Sequence, residues 1–226
     1  MTVRRFLFEN GLTLAVTALF LGSLAGQSMA GYLKFNEEAA QHGEPAITYG
    51  RYLVSSSFGA AVLENWQSEY LQFFVFILLT VWLVQKGSNE SKQLAEIGLE
   101  SDETQRVGEH AESRSPRWAR KKDWRFHLYS NSLLIVMGTI FLLSWFGQSV
   151  TAWTDYNEEQ REHDQATAPW FAYVQTADFW ERSLQNWQSE FLAIGTMAAF
   201  TIYLRQRGSP ESKPVGAPHD ETASSG

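Results

Sequence analysis

The chain contains no cysteine. That absence excludes a disulfide framework, a thiolate metal site and a cysteine nucleophile. Histidine is scarce, five in 226 residues, and no glycine-rich phosphate loop, Ser/His/Asp set or zinc-hydrolase motif is present. These gaps argue against an enzyme, and they assign no catalytic residue and no cofactor. Charge is missing over long stretches as well. Asn10–Leu33 carries none over 24 residues, and Leu128–Thr154 none over 27. Each run exceeds the roughly 20 residues that a helix needs to cross a hydrocarbon core. The net charge of −7 and mean hydropathy of −0.25 describe a soluble acidic chain only because polar segments average these runs out.

What is present is a repeat. Shifted by 121 positions, Leu7–Lys92 aligns with Leu128–Lys213 without a gap, at 30 identities over 86 positions. The matches include Asn10/Asn131, Gly26-Gln27-Ser28/Gly147-Gln148-Ser149, His42/His163, and NWQSE at Asn65–Glu69 and Asn186–Glu190. Repeats fix an architecture before any other feature does. A charge-free run follows each NWQSE, Tyr70–Gln85 and Phe191–Leu204, of 16 and 14 residues. To span a membrane these must borrow length from the motif, from about Trp66 onward in the first copy. The expected fold is therefore an all-α membrane protein with four transmembrane helices, arranged as two parallel two-helix repeats with short interfacial helices. Residues 1–92 form the first repeat, 93–123 a flexible linker, 124–213 the second repeat and 214–226 a disordered tail. Arg4-Arg5 and Ser28-Met29-Ala30-Gly31 imitate a signal peptide with its cleavage site. The internal copy of the pattern favours a retained helix over residues 10–31.

Lys and Arg set the orientation. The segments before the first span, between the second and third, and after the fourth hold 14 of the 18 basic residues, leaving Lys34, Arg51, Arg161 and Arg182 between paired spans. The positive-inside bias then places both termini and the linker in the cytoplasm. The basic, aromatic stretch RWARKKDWRF (117–126) reads as an inner-leaflet anchor and not as a nucleic-acid site. Asn36 is expected to cap a helix outside the membrane. The expected helix after Thr167-Ala168-Pro169 opens with Pro in its first turn, and Asp178 with Glu181 makes a capping-box pattern.

The arrangement NEE…H…NWQSE…GS.ESK, present in both halves, resembles a family of small bacterial inner-membrane proteins with no assigned activity. The resemblance covers nearly the whole chain outside the linker and tail. It implies this architecture and a bacterial inner membrane, and no function.

On a helix entering from outside, Asn65, Ser68 and Glu69 share one face, as do Asn186, Ser189 and Glu190. With Gln27, Gln67, Gln148 and Gln188 they make an expected polar cluster in the outer leaflet. Two buried carboxylates near a pseudo-two-fold axis are candidates for proton or cation binding. The same groups can instead hydrogen-bond across helices and hold them together. Glu38 with His42 and Glu159 with His163 stand four residues apart, and two such pairs brought together offer an alternative divalent-metal set. A small-residue ridge, Ala18, Gly22, Gly26 and Ala30, permits close helix approach; only Gly147 persists as glycine at the matching positions of the second half.

Two function classes follow. The first is a non-enzymatic structural, binding or accessory membrane component, with the lipid bilayer and a membrane-protein partner or a second copy of itself as partners. The second is a small proton- or cation-linked transporter or channel using Glu69 and Glu190. The cysteine-free chain makes topology directly measurable. A cysteine placed at Glu103 should stay unlabelled by an impermeant thiol reagent in intact cells, and one at His42 should be labelled. Labelling at 103 would invert the orientation.

Overall fold

Asn10 and Asn131 each close a short helix and open a long one. The Asn10 side-chain amide donates to the Phe6 carbonyl at 2.8 Å, and Asn131 donates to the His127 carbonyl at 2.8 Å. In the computed structural model, which describes residues 2–222, these junctions separate α1 (Val3–Glu9) from α2 (Gly11–Gln41), and α5 (Trp124–Ser130) from α6 (Ser132–Glu162). The remaining helices are α3 (Tyr49–Tyr52), α4 (Ser56–Trp82), α7 (Trp170–Tyr173) and α8 (Ala177–Tyr203). Every boundary of α1 to α4 recurs 121 residues later in α5 to α8. No strand occurs among the described residues.

Among these, α2 and α6 are the two helices both long and apolar enough to cross a membrane. Four were expected. At 27 residues each, α4 and α8 have the length. NWQSE places Asn, Gln and Glu inside both, and α8 adds Asp178, Glu181 and Arg182, which lowers their hydropathy. The apolar windows of α2 and α6 are only 6% and 17% buried, so neither is the enclosed core helix of a globular domain.

The contacts divide the chain into two compact units. Met1–Val62 with Thr151–Thr167 form the first, which is aromatic at its centre. Tyr52 is 5% exposed and meets Tyr32, Phe35 and Phe58 at ring separations of 5.5–6.1 Å. Asn36 is not a helix cap, because α2 runs past it to Gln41. Its side chain acts as a surrogate peptide group instead, accepting from Ile47 N at 2.8 Å and donating to Ile47 O at 3.2 Å. That pair ties the α2–α3 loop back onto its helix.

Leu63–Val150 with Ala168–Gly226 form the second unit. Trp145 stacks on Phe179 at 5.9 Å, and its indole N–H donates to Ser183 at 3.1 Å. Thr176 caps α8 by accepting from Phe179 N at 3.3 Å, displacing the expected Asp178, whose carboxylate is engaged elsewhere. Pro169 stands just before α7, as expected of a proline helix start. The two GS.ESK loops are built alike: Ser91 accepts from Gln85 N and Ser212 from Gln206 N, at 2.7 and 2.9 Å. Gly87 and Gly208, at φ +86° and +84°, take the left-handed turn that follows the helix end.

The segment expected to be a flexible linker is placed through short 3-10 turns and local ties. Gly98 N donates to Val81 O at 2.8 Å, and Lys122 pairs with Asp102. Of the expected disordered tail, residues 214–222 gather around the Lys213 ammonium. It is 1% exposed and donates to the carbonyls of Pro218, His219 and Glu221 at 3.0 Å each. Positions 223–226 lie outside the described residues.

The glycine ridge is only partly realised. A Cβ built on Gly147 would sit 2.9 Å from Leu63 Cδ1, whereas Gly22 and Gly26 face open space. Gly147→Leu should destabilise the protein by about 1–3 kcal/mol through overpacking. Gly26→Leu, expected from its sequence match to behave likewise, should change stability little. Thermal unfolding of both variants in detergent checks this, and equal losses would contradict the packing seen.

Candidate functional site

Ser55 and Thr176 start α4 and α8 in the same way. Ser55 Oγ accepts from Phe58 N at 3.2 Å, as Thr176 does from Phe179 N. The shared start sets both copies of NWQSE at the same height, about two and a half turns into each helix. There the copies part company. Gln67 is fully enclosed: its Oε1 accepts the Trp187 indole N–H at 2.6 Å, and its amide nitrogen donates to Glu64 O at 3.1 Å. One turn toward the start of α4, Asn186 donates to the Glu64 carboxylate at 3.0 Å. So the tryptophan and asparagine of the second motif clasp the glutamine of the first and the glutamate just before it.

That clasp continues into a charged network. Arg182 pairs with Asp178 at 3.2 Å, and the enclosed Tyr173 hydroxyl donates to the same carboxylate at 3.0 Å. Burial, reinforced by Asp178, holds that hydroxyl protonated well above the usual tyrosine range. Glu64 also has a raised pKa. Desolvation is the largest cause, and it outweighs the opposing pull of Arg182 and the Asn186 hydrogen bond.

The expected cluster residues fall into two groups. Gln67, Ser68 and Gln148 are enclosed, at 1% exposure or less. Asn65, Glu69, Gln188 and Ser189 are exposed, and Asn186 and Glu190 intermediate. Ser68 and Ser189 donate to their own helices, to Asn65 O and Asn186 O at 2.9 and 2.8 Å. Glu190 lies within interaction range of both Ser68 and Glu69, so the two motif carboxylates are near each other. Gln27 is exposed and belongs to the first unit.

Glu38, His42, Glu159 and His163 are not assembled as a ligand set. Among the described residues no three His, Asp or Glu side chains are grouped to hold a metal. The His42 ring nitrogen lies 2.9 Å from the Glu38 carbonyl, and the Glu38 carboxylate lies 3.5 Å from Lys34.

Glu64, Tyr173 and Arg182 were missed as site residues, and Asp178 was read only as a cap. The signal was available in the departures from the repeat. At matching positions Glu64 faces Gln185, Asp178 faces Ser57 and Arg182 faces Ala61, so the charges of the network each occur in one half only.

Residues 3–224 match the family described as Domain of unknown function (DUF6766). The chain belongs to that family. The match takes in nearly the whole chain. No curated protein and no solved structure matches it.

The Glu64 network predicts a pH dependence. A carboxyl with a raised folded pKa is protonated in both states below its ordinary value of 4.5. Above that value the folded state holds the proton more tightly, and stability falls as pH rises through the folded pKa. Glu64→Gln keeps an oxygen for Asn186 and removes the buried charge. Its thermal stability should exceed that of the parent at pH 8, and the gap should close by pH 4. A gap that is constant across this range would contradict the assignment.

Proposed function

We propose that this protein is a four-span bacterial inner-membrane protein built by tandem duplication, with a structural or binding role and no catalytic one. Support for the membrane comes from α2 and α6, whose leucines and phenylalanines face outward along the charge-free runs. Leu12 is 81% exposed and Leu19 71%, which is costly in water and favourable against acyl chains. In this reading α4 and α8 are the other two spans, entered from outside through NWQSE, and both termini and the linker are cytoplasmic. The parallel repeat follows from duplicating a unit with an even number of spans.

One observation favours the structural role: the polar atoms of Gln67 are used on Trp187 and on its own helix, at a place where water is scarce. An interhelical hydrogen bond of this kind fixes the rotation and height of one span against another. The runner-up, a proton- or cation-linked transporter, is favoured by the proximity of Glu69 and Glu190.

The two roles separate under isosteric substitution. Gln67→Leu leaves the Trp187 indole N–H unpaired and should cost about 1–2 kcal/mol of stability. Glu69→Gln and Glu190→Gln, singly and together, should change stability little. Reconstituted in liposomes, these variants should show the same pH-dependent flux as the parent. A measurable flux lost in Glu69→Gln with stability unchanged would overturn the structural role in favour of transport.

A further inference from the structure

The repeat departures that build the charged network in the second half leave an opening in the first. Tyr173 donates to Asp178, which in turn pairs with Arg182. The matching residues are Tyr52, Ser57 and Ala61. Serine and alanine supply neither the carboxylate nor the bulk, and in their place is a groove of about 410 Å³ lined by all three. Tyr52 is 5% exposed and has a serine, not a carboxylate, at the position matching Asp178. It is packed instead over Gly31, where any Cβ would collide with it; the matching residue in the second half is Ala152.

The rest of the lining defines what fits. Lys34 and Glu38, 3.5 Å apart and largely exposed, stand at the rim, and Gln27 contributes an amide. Ser57 donates to Asp155 at 3.4 Å, and that carboxylate also acts on Tyr52. One ammonium and two hydroxyls against two carboxylates do not suit a simple anion. They suit a ligand with a phosphate for Lys34 and Tyr52 and an ammonium for Glu38 at the rim, with the Asp155 carboxylate, which lies behind Ser57 and outside the lining, adding negative potential. Ala30, Gly31, Phe35 and Ala61 form an apolar wall. The helix carrying that wall presents open space at Gly22 and Gly26 toward its charge-free run, where acyl chains can lie.

We infer that this groove binds the headgroup of a zwitterionic aminophospholipid, phosphatidylethanolamine by chemistry, with its acyl chains along the Gly22–Gly26 face of α2. At the positions matching Ser57 and Ala61 the second half carries Asp178 and Arg182, which pair with each other, so one lipid is bound per chain. The inference rests on the membrane reading above, and the two fail separately. A chain extracted from inner membranes by alkaline carbonate would refute the membrane reading. A chain that resists extraction but shows no lipid preference would refute only the groove.

The test is native mass spectrometry of the full-length protein in mild detergent, titrated with phosphatidylethanolamine, phosphatidylglycerol or soluble phosphoethanolamine. One phosphatidylethanolamine should be retained per chain in preference to phosphatidylglycerol. Tyr52→Phe should weaken retention by about tenfold, the loss expected for one hydrogen bond to a charged oxygen. Ala61→Arg should abolish retention by filling the groove, and Tyr173→Phe should leave it unchanged. Lys34→Gln, at an exposed position, gives the same answer should Ala61→Arg fail to fold. Equal retention of both lipids, or retention that survives Lys34→Gln and Tyr52→Phe together, would overturn the proposal. Binding of soluble phosphoethanolamine as tightly as the lipid would overturn the lipid as its source.

Discussion

A glutamine side chain enclosed without water must have its amide paired, and Gln67 meets that demand with one indole N–H and one carbonyl of its own helix. Much of the second unit depends on this contact. It fixes where α8 lies along α4, which brings Asn186 to Glu64 and holds Arg182 within Coulombic range of that carboxylate. Moving α8 by one residue along α4 would break the glutamine pairing and the Asn186 bond together. An apolar pair of helices has no comparable penalty for sliding, since one leucine contact replaces another.

The second half concentrates polar and aromatic side chains where the first half has small ones. Trp180 stands where Gly59 does, Asp178 where Ser57 does and Arg182 where Ala61 does. The consequence is an Asp178–Arg182 ion pair in one half and a groove beside Tyr52 in the other. Divergence at a few positions thus gives the two halves different side-chain chemistry at matching places. The two GS.ESK loops, by contrast, retain the same serine-to-backbone bonds and the same left-handed glycine. They end a helix, which both halves must do. Their lysines diverge in partners only: Lys92 pairs with Glu100, and Lys213 is surrounded by three carbonyls.

Much of the helical layout was legible in the sequence, and the reasons are local. The junctions at Asn10 and Asn131 were not among the expectations, although a short amide that satisfies the carbonyl one turn back is a local signal. Gly87 and Gly208 mark left-handed turns, which they reach without strain, but the helices end earlier, at Trp82 and Tyr203, than the stops expected there. The short helices after Thr48 and Pro169 follow from residues with extended backbone before an aromatic cluster. Asn36 misled because its side chain could cap a helix or bridge to a distant peptide group, and only the path of the loop through Ile47 decided between them. The ridge at Gly26 misled because a repeat match predicts equal neighbours only when the neighbours are also equal.

By itself the sequence determined that the two halves repeat, about where the long helices begin, and which stretches carry no charge; it misplaced the ends of α2, α4 and α8, expected at residues 31, 85 and 206 and found at Gln41, Trp82 and Tyr203. These depend on spacing, composition and residues close along the chain. Only the tertiary structure decided that Gln67 and not Glu69 is the enclosed member of the motif, that Glu64 joins it, and that Tyr52 overlooks a groove. Along an almost uniformly apolar helix no polar stripe fixes the rotation about its axis. Which side chains face one another is therefore set by contacts between helices far apart in sequence.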